Sequence, residues 1–171
     1  MNSKHLETVN RIRTILIKRQ QTLAVAESVT AGMLQVAFSS ADNATEYFQG
    51  GITAYNLGQK ARHLGLDPIH GQQCDCVSAE TARALSENCC SIFSSHWGIG
   101  ITGYASTVPE KGITELYAYY SIAADGEEMK SARITPPPGE DDPVTIRYYY
   151  TNTVIAILLD ILTNVTQKKP R

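Results

Sequence analysis

Three segments of this sequence carry the residue types that a nucleophilic site needs, and each follows a short apolar run. The first is Glu27-Ser28-Val29-Thr30-Ala31-Gly32, after the apolar stretch 22–26. A serine hydroxyl attacks a carbonyl only when a neighbouring base takes its proton. Where a strand gives way to a helix, free backbone N–H groups and a positive dipole end suit an oxyanion or a phosphate. Gly32 would let backbone or ligand approach closely. A plainer reading stays open, in which Ser28 or Thr30 only caps the following helix. The second segment is Tyr55-Asn56, with Lys60 five residues after the tyrosine. Lysine serves as a base when burial or nearby positive charge lowers its pKa, and is otherwise a surface charge. The third is Thr102-Gly103-Tyr104-Ala105-Ser106.

The elements that must position these groups are legible from periodicity. Leu6, Val9, Ile12 and Leu16 recur at helical spacing and predict a helix over 3–20. A buried strand is expected at 22–26 and a helix at 30–39, where Met33, Leu34, Val36, Ala37 and Phe38 make a mostly apolar surface. Gly50-Gly51 reads as a break before a strand at 52–55, and 57–64 as a helix stopped by Gly65. Ser78 is a good N-cap for a helix over 79–93, with Glu80 in its first turn. A strand follows at 97–102. Asp125-Gly126, between alternating segments at 116–123 and 129–135, is a hairpin signal. Pro136-Pro137-Pro138-Gly139 ends the sheet, and a long helix covers 143–163. This order predicts an α/β fold: a three-layer α/β/α sandwich with a mixed, mainly parallel sheet, in one domain over 1–171. Ligands of open α/β sheets bind beyond the carboxyl ends of the strands, so the three segments share a crevice if their strands are neighbours.

Composition limits the function classes. The 171 residues are 43% hydrophobic and 19% charged, values of a globular chain. A net charge of −2 gives no basic footprint, so no direct nucleic-acid binding is expected. The apolar stretch 154–162 is too short to span a bilayer and carries Asp160, so no membrane partner is expected. The polar start 1–7 lacks the apolar core of a secretory signal, which makes a cytoplasmic location the expectation. Cys74, Cys76, Cys89 and Cys90 occur as C-x-C and C-C, which are not metal-ligand spacings. No metal site is expected from them. Tyr148-Tyr149-Tyr150 suits either core packing or a partner subunit, leaving a homo-oligomer open. The tail 167–171 is polar and is expected to fray.

Taken in order, the motifs resemble the CinA C-terminal domain family. The family pattern A-E-S-C-T-G-G is met by Ala26-Glu27-Ser28-Val29-Thr30-Ala31-Gly32. Its F-x-G-G and V-x-Y-S-N-x-x-K stretches are met by residues 48–60, which contain Gly50-Gly51, Tyr55-Asn56 and Lys60. Val77-Ser78-Ala79-Glu80 and Thr102-Gly103-Tyr104-Ala105 match a helix start and a strand end. The resemblance implies hydrolysis of the carboxamide of nicotinamide mononucleotide, giving nicotinic acid mononucleotide and ammonia. It makes Ser28 the nucleophile and Lys60 its base, with Tyr55 and Thr30 relaying or orienting protons. It places the nucleotide against Ala31, Gly32, Thr102, Gly103 and Ser106. Arg147 aligns with a basic position at the start of the last helix and would fork onto a phosphate. No metal or cofactor is implied; the implied partner is a small nucleotide substrate. The chain departs from the pattern at Val29 and Ala31, in a shortened loop at 103–114, and at Gly139-Glu140-Asp141, where the family has a positive charge. These departures leave a second expectation, a nucleotide-binding or regulatory module of the family with impaired turnover.

Overall fold

The computed structural model describes residues 3–165, so the tail 167–171 and the first two residues of the polar start lie outside it. One five-stranded sheet separates two helical layers. Its strands are β1 (Leu23–Glu27), β2 (Phe48–Thr53), β3 (Trp97–Gly103), β4 (Ala118–Ala124) and β5 (Glu127–Ile134), in the order β2-β1-β3-β4-β5. β1 pairs in parallel with both β2 and β3. β4 and β5 add antiparallel pairings around the Asp125-Gly126 turn, where both residues have positive φ. The sheet is therefore mixed, and its parallel half brings the carboxyl ends of β1, β2 and β3 to one edge.

The two faces of the sheet are packed by different side chains, as period-two alternation requires. On one face Leu23, Val25, Ile99, Ile101, Tyr120 and Ile122 form the main core. That core is closed by α1 (Ser3–Lys18), α2 (Met33–Ser39) and α6 (Pro143–Val165), through Ile12, Leu16, Leu34, Phe38, Val154 and Leu158. The opposite face is made of Ala24, Ala26, Gly98 and Gly100, and it receives α5 (Ala79–Phe93) through Leu85 and Cys89. A Cβ on Gly98 would stand 2.2 Å from Ser86 O, and one on Gly100 2.2 Å from Ala82 O. α5 thus lies directly on the β3 backbone. Its Ser78-capped start, with Ser78 Oγ accepting from Thr81 N, sits over the site edge.

Three expectations change in detail. Gly50-Gly51 lies inside β2 rather than breaking the chain before it. A side chain on Gly51 would meet Val25 Cγ2 at 2.5 Å and Gln35 Cγ at 2.7 Å, so the glycine allows close packing there. The helix expected from residue 30 begins only at Met33, because Ala31 and Gly32 take left-handed φ values of 54° and 97°. Between α3 (Leu57–Leu64) and α5 stands α4 (Pro68–Gln73), which has no amphipathic repeat to announce it. It starts on an Asp67 cap and Pro68, but six residues containing Gly71 are too few to show a period.

Candidate active site

The turn after β1 is organised by Glu27, a fully buried carboxylate at the end of an apolar strand. Its Oε2 accepts from Thr30 Oγ1 at 2.6 Å, from Gly32 N at 3.1 Å and from Leu34 N at 3.1 Å. Its Oε1 accepts from Gln35 N at 2.9 Å. α2 has no side-chain cap from its flanking Gly32, so Glu27 takes that part from within the sheet. Of the N–H groups near Thr30 to Gly32 that could hold an anion, that of Gly32 is thus taken by Glu27. The Thr30 hydroxyl, which is fully buried, is likewise committed to Glu27 rather than to a proton relay. No acceptor among the described residues takes the N–H of Val29 or Thr30. Those two donors directly follow Ser28 in the chain.

A cleft of about 580 Å³ opens at the shared strand edge. Ser28 lines it from β1, Tyr55, Asn56 and Lys60 from β2 and α3, Thr102, Gly103 and Ser106 from β3 and its loop, and Arg147 from α6. Ala31 and Gly32 do not line it; the left-handed turn carries them away towards α2. Ser28 is 7% exposed and Lys60 is 3% exposed. Neither the hydroxyl of Ser28 nor the amine of Lys60 hydrogen-bonds to any described residue, and no hydrogen bond joins the two. Lys60 sits in the second turn of α3, whose start is capped by Asn56 accepting from Gln59 N. Burial lowers its pKa, against the opposing pull of the neighbouring Cys76 thiol and Asp75 carboxylate. A lysine in that state has a share of neutral amine available to accept a proton.

The mouth of the cleft is tied together by Arg147. Its Nε donates to Val29 O at 3.2 Å and its Nη2 to Tyr55 Oη at 3.3 Å. The guanidinium holds the chain beside Ser28 and lines the cleft. Thr102 is buried, and its hydroxyl donates to Cys76 O at 2.7 Å. It therefore pins the turn before α5 as well as lining the cleft. The shortened loop folds into a small hairpin: Val108 bridges Ile113 around the 3-10 turn Pro109–Lys111. Lys111 Nζ then reaches Asp75 Oδ1 at 3.0 Å and Oδ2 at 3.2 Å, and Tyr104 Oη donates to Asp75 Oδ2 at 3.1 Å.

Sequence reasoning missed Asp75, Cys76 and Lys111 as cleft residues. Asp75 and Cys76 are consecutive non-glycine residues at positive φ, 51° and 58°. Such strain persists only where the surroundings fix it. Here Cys76 N donates to Gly71 O at 2.8 Å and Val77 N to Cys74 O at 2.9 Å. No local pattern announces a two-residue left-handed turn that lacks glycine. Ala31 is another non-glycine residue at positive φ, and it stands where the family pattern has a glycine. Left-handed geometry costs an alanine about 1–2 kcal/mol, and a glycine there loses about 0.4–1 kcal/mol of that gain to unfolded-chain entropy. Ala31→Gly is expected to raise stability by about 0.5 kcal/mol, read as a higher urea midpoint at unchanged slope.

These features define an α/β domain with a buried serine and a buried lysine facing one cleft at the carboxyl edge of its parallel strands. Residues 5–126 match the CinA C-terminal domain, and the chain belongs to that family. Among its relatives, a CinA-like protein of a Picosynechococcus strain is 42% identical over 94 residues, 55% of this chain and 22% of that protein. A CinA-like protein of a Synechocystis strain is 36% identical over 109 residues, 62% of this chain and 26% of that one. The alignments thus span about a quarter of the length of these curated relatives. Among solved structures, a CinA superfamily protein of Klebsiella pneumoniae superposes with a TM-score of 0.86 at 20% identity, covering 96% of this chain and 99% of that one. A competence or damage-inducible protein of Enterobacter asburiae gives 0.86 at 23% identity, covering 94% and 99%. The family match stops at the Asp125-Gly126 turn, whereas the structural likeness runs on through β5 and α6. α6, which supplies Arg147, keeps its place in the fold beyond the reach of the family match.

Proposed function

We propose that this domain hydrolyses the carboxamide of nicotinamide mononucleotide or a related pyridine nucleotide, with Ser28 as nucleophile and Lys60 as general base. The observation that carries the reading is the pair of buried, unpartnered groups facing one cleft, a hydroxyl and a lysine whose pKa burial lowers. On this reading Lys60 takes the hydroxyl proton as Ser28 Oγ attacks the amide carbon, and returns it to the departing ammonia. The N–H groups of Val29 and Thr30 are the oxyanion donors, since they directly follow the nucleophile and no other described group takes them. Arg147 meets the phosphate at the mouth. Water then hydrolyses the acyl-serine, giving the pyridine carboxylate. Incubation of the protein with nicotinamide mononucleotide is expected to release ammonia, and a Ser28→Ala preparation is expected to release none above buffer. Equal release by the two would overturn the assignment of Ser28.

One observation favours a second reading, a binding module with impaired turnover. Ser28 and Lys60 share the cleft without a hydrogen bond, and the hairpin around Lys111 brings an Asp75 carboxylate to the same opening. Calorimetric binding of the nucleotide without ammonia release would favour the module over the enzyme.

A further inference from the structure

The turn joining α4 to α5 holds two thiols that the amide chemistry does not use. Cys74 and Cys76 occupy the first and third positions of a turn closed by Val77 N donating to Cys74 O at 2.9 Å. The φ values of 51° and 58° at Asp75 and Cys76 fold it tightly. Residues two apart in such a turn fall within the Cα separation a disulfide accepts. The two sulfurs also flank one residue. Cys74 Sγ lies 4.0 Å from Gly71 O, and Cys76 Sγ lies 3.3 Å from where a Gly71 Cβ would stand. Both thiols are free in this structure.

Their surroundings differ in a way that separates their chemistry. Cys74 is half-buried, and its Sγ lies 3.5 Å from His70 Nε2. That imidazole bonds Ser78 Oγ at 2.8 Å through the same nitrogen and faces Glu80 Oε2 at 3.5 Å through Nδ1. In the tautomer that carries its proton on Nδ1, towards the carboxylate, Nε2 is an acceptor, and the Cys74 thiol, which otherwise donates to His70 O at 3.2 Å, can give its proton to it. Cys76 is 6% exposed and forms part of the cleft wall with Lys60. An accessible thiol with a base, followed two residues later by a sheltered thiol, is the arrangement of an attacking and a resolving cysteine.

We propose that Cys74 and Cys76 form a reversible redox site, oxidised by hydrogen peroxide to a disulfide within the 74–77 turn. His70 takes the Cys74 proton, and the thiolate attacks one peroxide oxygen. The O–O bond breaks, the departing hydroxide takes that proton, and water leaves. The Cys76 sulfur then attacks the sulfenic sulfur, the S–O bond breaks, and the hydroxyl leaves as a second water with the Cys76 proton. Two thiols are oxidised by two electrons in all, and one peroxide is reduced to two waters. Because Cys76 walls the cleft beside Lys60, and Asp75 between the cysteines anchors Lys111, the bridge alters the amide site from behind.

Mass spectrometry of the full chain tests this without using the amidase activity, so the two readings stand or fall separately. The protein is treated with a small excess of hydrogen peroxide, unfolded, alkylated and digested. The expected result is a peptide holding both cysteines that is unalkylated, lighter by two hydrogens and restored by dithiothreitol, while Cys89 and Cys90 alkylate. Cys76→Ser should stop at a Cys74 sulfenic acid that dimedone captures, and Cys74→Ser should leave the Cys76 thiol unoxidised. His70→Gln should slow oxidation about tenfold, because a glutamine cannot take the thiol proton. Full alkylation of both thiols after peroxide, a bridge between two chains, or an unchanged rate in His70→Gln would overturn the proposal.

Discussion

Replacing Lys60 with methionine is expected to lower the rate of ammonia release by about a thousandfold, within the range for loss of a positioned general base, and at the same time to make the domain more stable. Both effects come from one cause. Lys60 as a residue is 3% exposed, and its amine hydrogen-bonds to no described residue. In the unfolded chain it is a hydrated ammonium, whereas in the fold it is either a desolvated cation or a group that has surrendered its proton. Each costs free energy relative to an apolar side chain of similar length. Methionine has a similar length, on the helix face that Lys60 shares by spacing with Leu57 and Leu64, and avoids that cost; the gain is about 1 kcal/mol. For a domain of this size that corresponds to a rise in Tm of about 2–4 °C. Loss of activity with loss of stability would mean that Lys60 holds the fold together, and would remove the reason for reading it as a base.

The pH dependence follows from the same burial. The pKa of Lys60 is lowered in the fold from its ordinary 10.5. Between the lowered value and 10.5 the unfolded chain therefore binds more protons at this position than the folded one. Stability contributed by Lys60 rises with pH across that window and is flat on either side of it. The difference in unfolding free energy between Lys60→Met and the parent is expected to shrink as pH climbs through the window. The rate of amide hydrolysis should climb over the lower part of the same window, as the neutral amine becomes available to Ser28.

Much of this architecture was legible because local and global signals agree. The boundaries of α3 and α5 and the β4–β5 turn are set by caps and turn residues, Asn56, Gly65, Ser78 and Asp125-Gly126, that act within a few residues of chain. The alternation of Ala24 and Ala26 with Leu23 and Val25 likewise reflects two faces of one sheet, though not that the small-residue face takes α5 on bare backbone. Ser28, Lys60 and Thr102 could be named because their strand and helix ends are local features, and Arg147 only through the family resemblance. What could not be read is long-range. The Asp75 carboxylate reaches the cleft through a left-handed turn fixed by Gly71, Thr102 and Lys111, from three other elements. Thr30 and Gly32 looked available because the carboxylate that consumes their donors lies inside a strand of otherwise apolar residues. A lone acid ending such a strand, next to a helix without a capping side chain, is the pattern that would have exposed it.

That carboxylate carries the second large effect. Glu27→Gln is expected to destabilise the domain by about 3 kcal/mol, two or three times the value of an ordinary hydrogen bond. The carboxylate accepts four hydrogen bonds, three from backbone N–H groups and one from the Thr30 hydroxyl. A glutamine has one oxygen. If that oxygen takes the place of Oε2, it keeps the bonds from Thr30, Gly32 and Leu34 in weaker, uncharged form, and its amide hydrogens point at the N–H of Gln35. The reverse orientation sets the amide against three donors. Either way, buried donors face donors in a site that water cannot reach. α2 has seven residues and no other side-chain cap, so its first turn has no second source of acceptors. The expected fall is about 10 °C in Tm, and it should be accompanied by loss of ammonia release at temperatures where the variant is still folded. The second effect follows because the turn held by Glu27 runs from Ser28 through the unpaired N–H groups of Val29 and Thr30. A change below about 1 kcal/mol would show that the four bonds are replaced on substitution. An undiminished rate in the folded variant would show that the position of Ser28 does not depend on the turn.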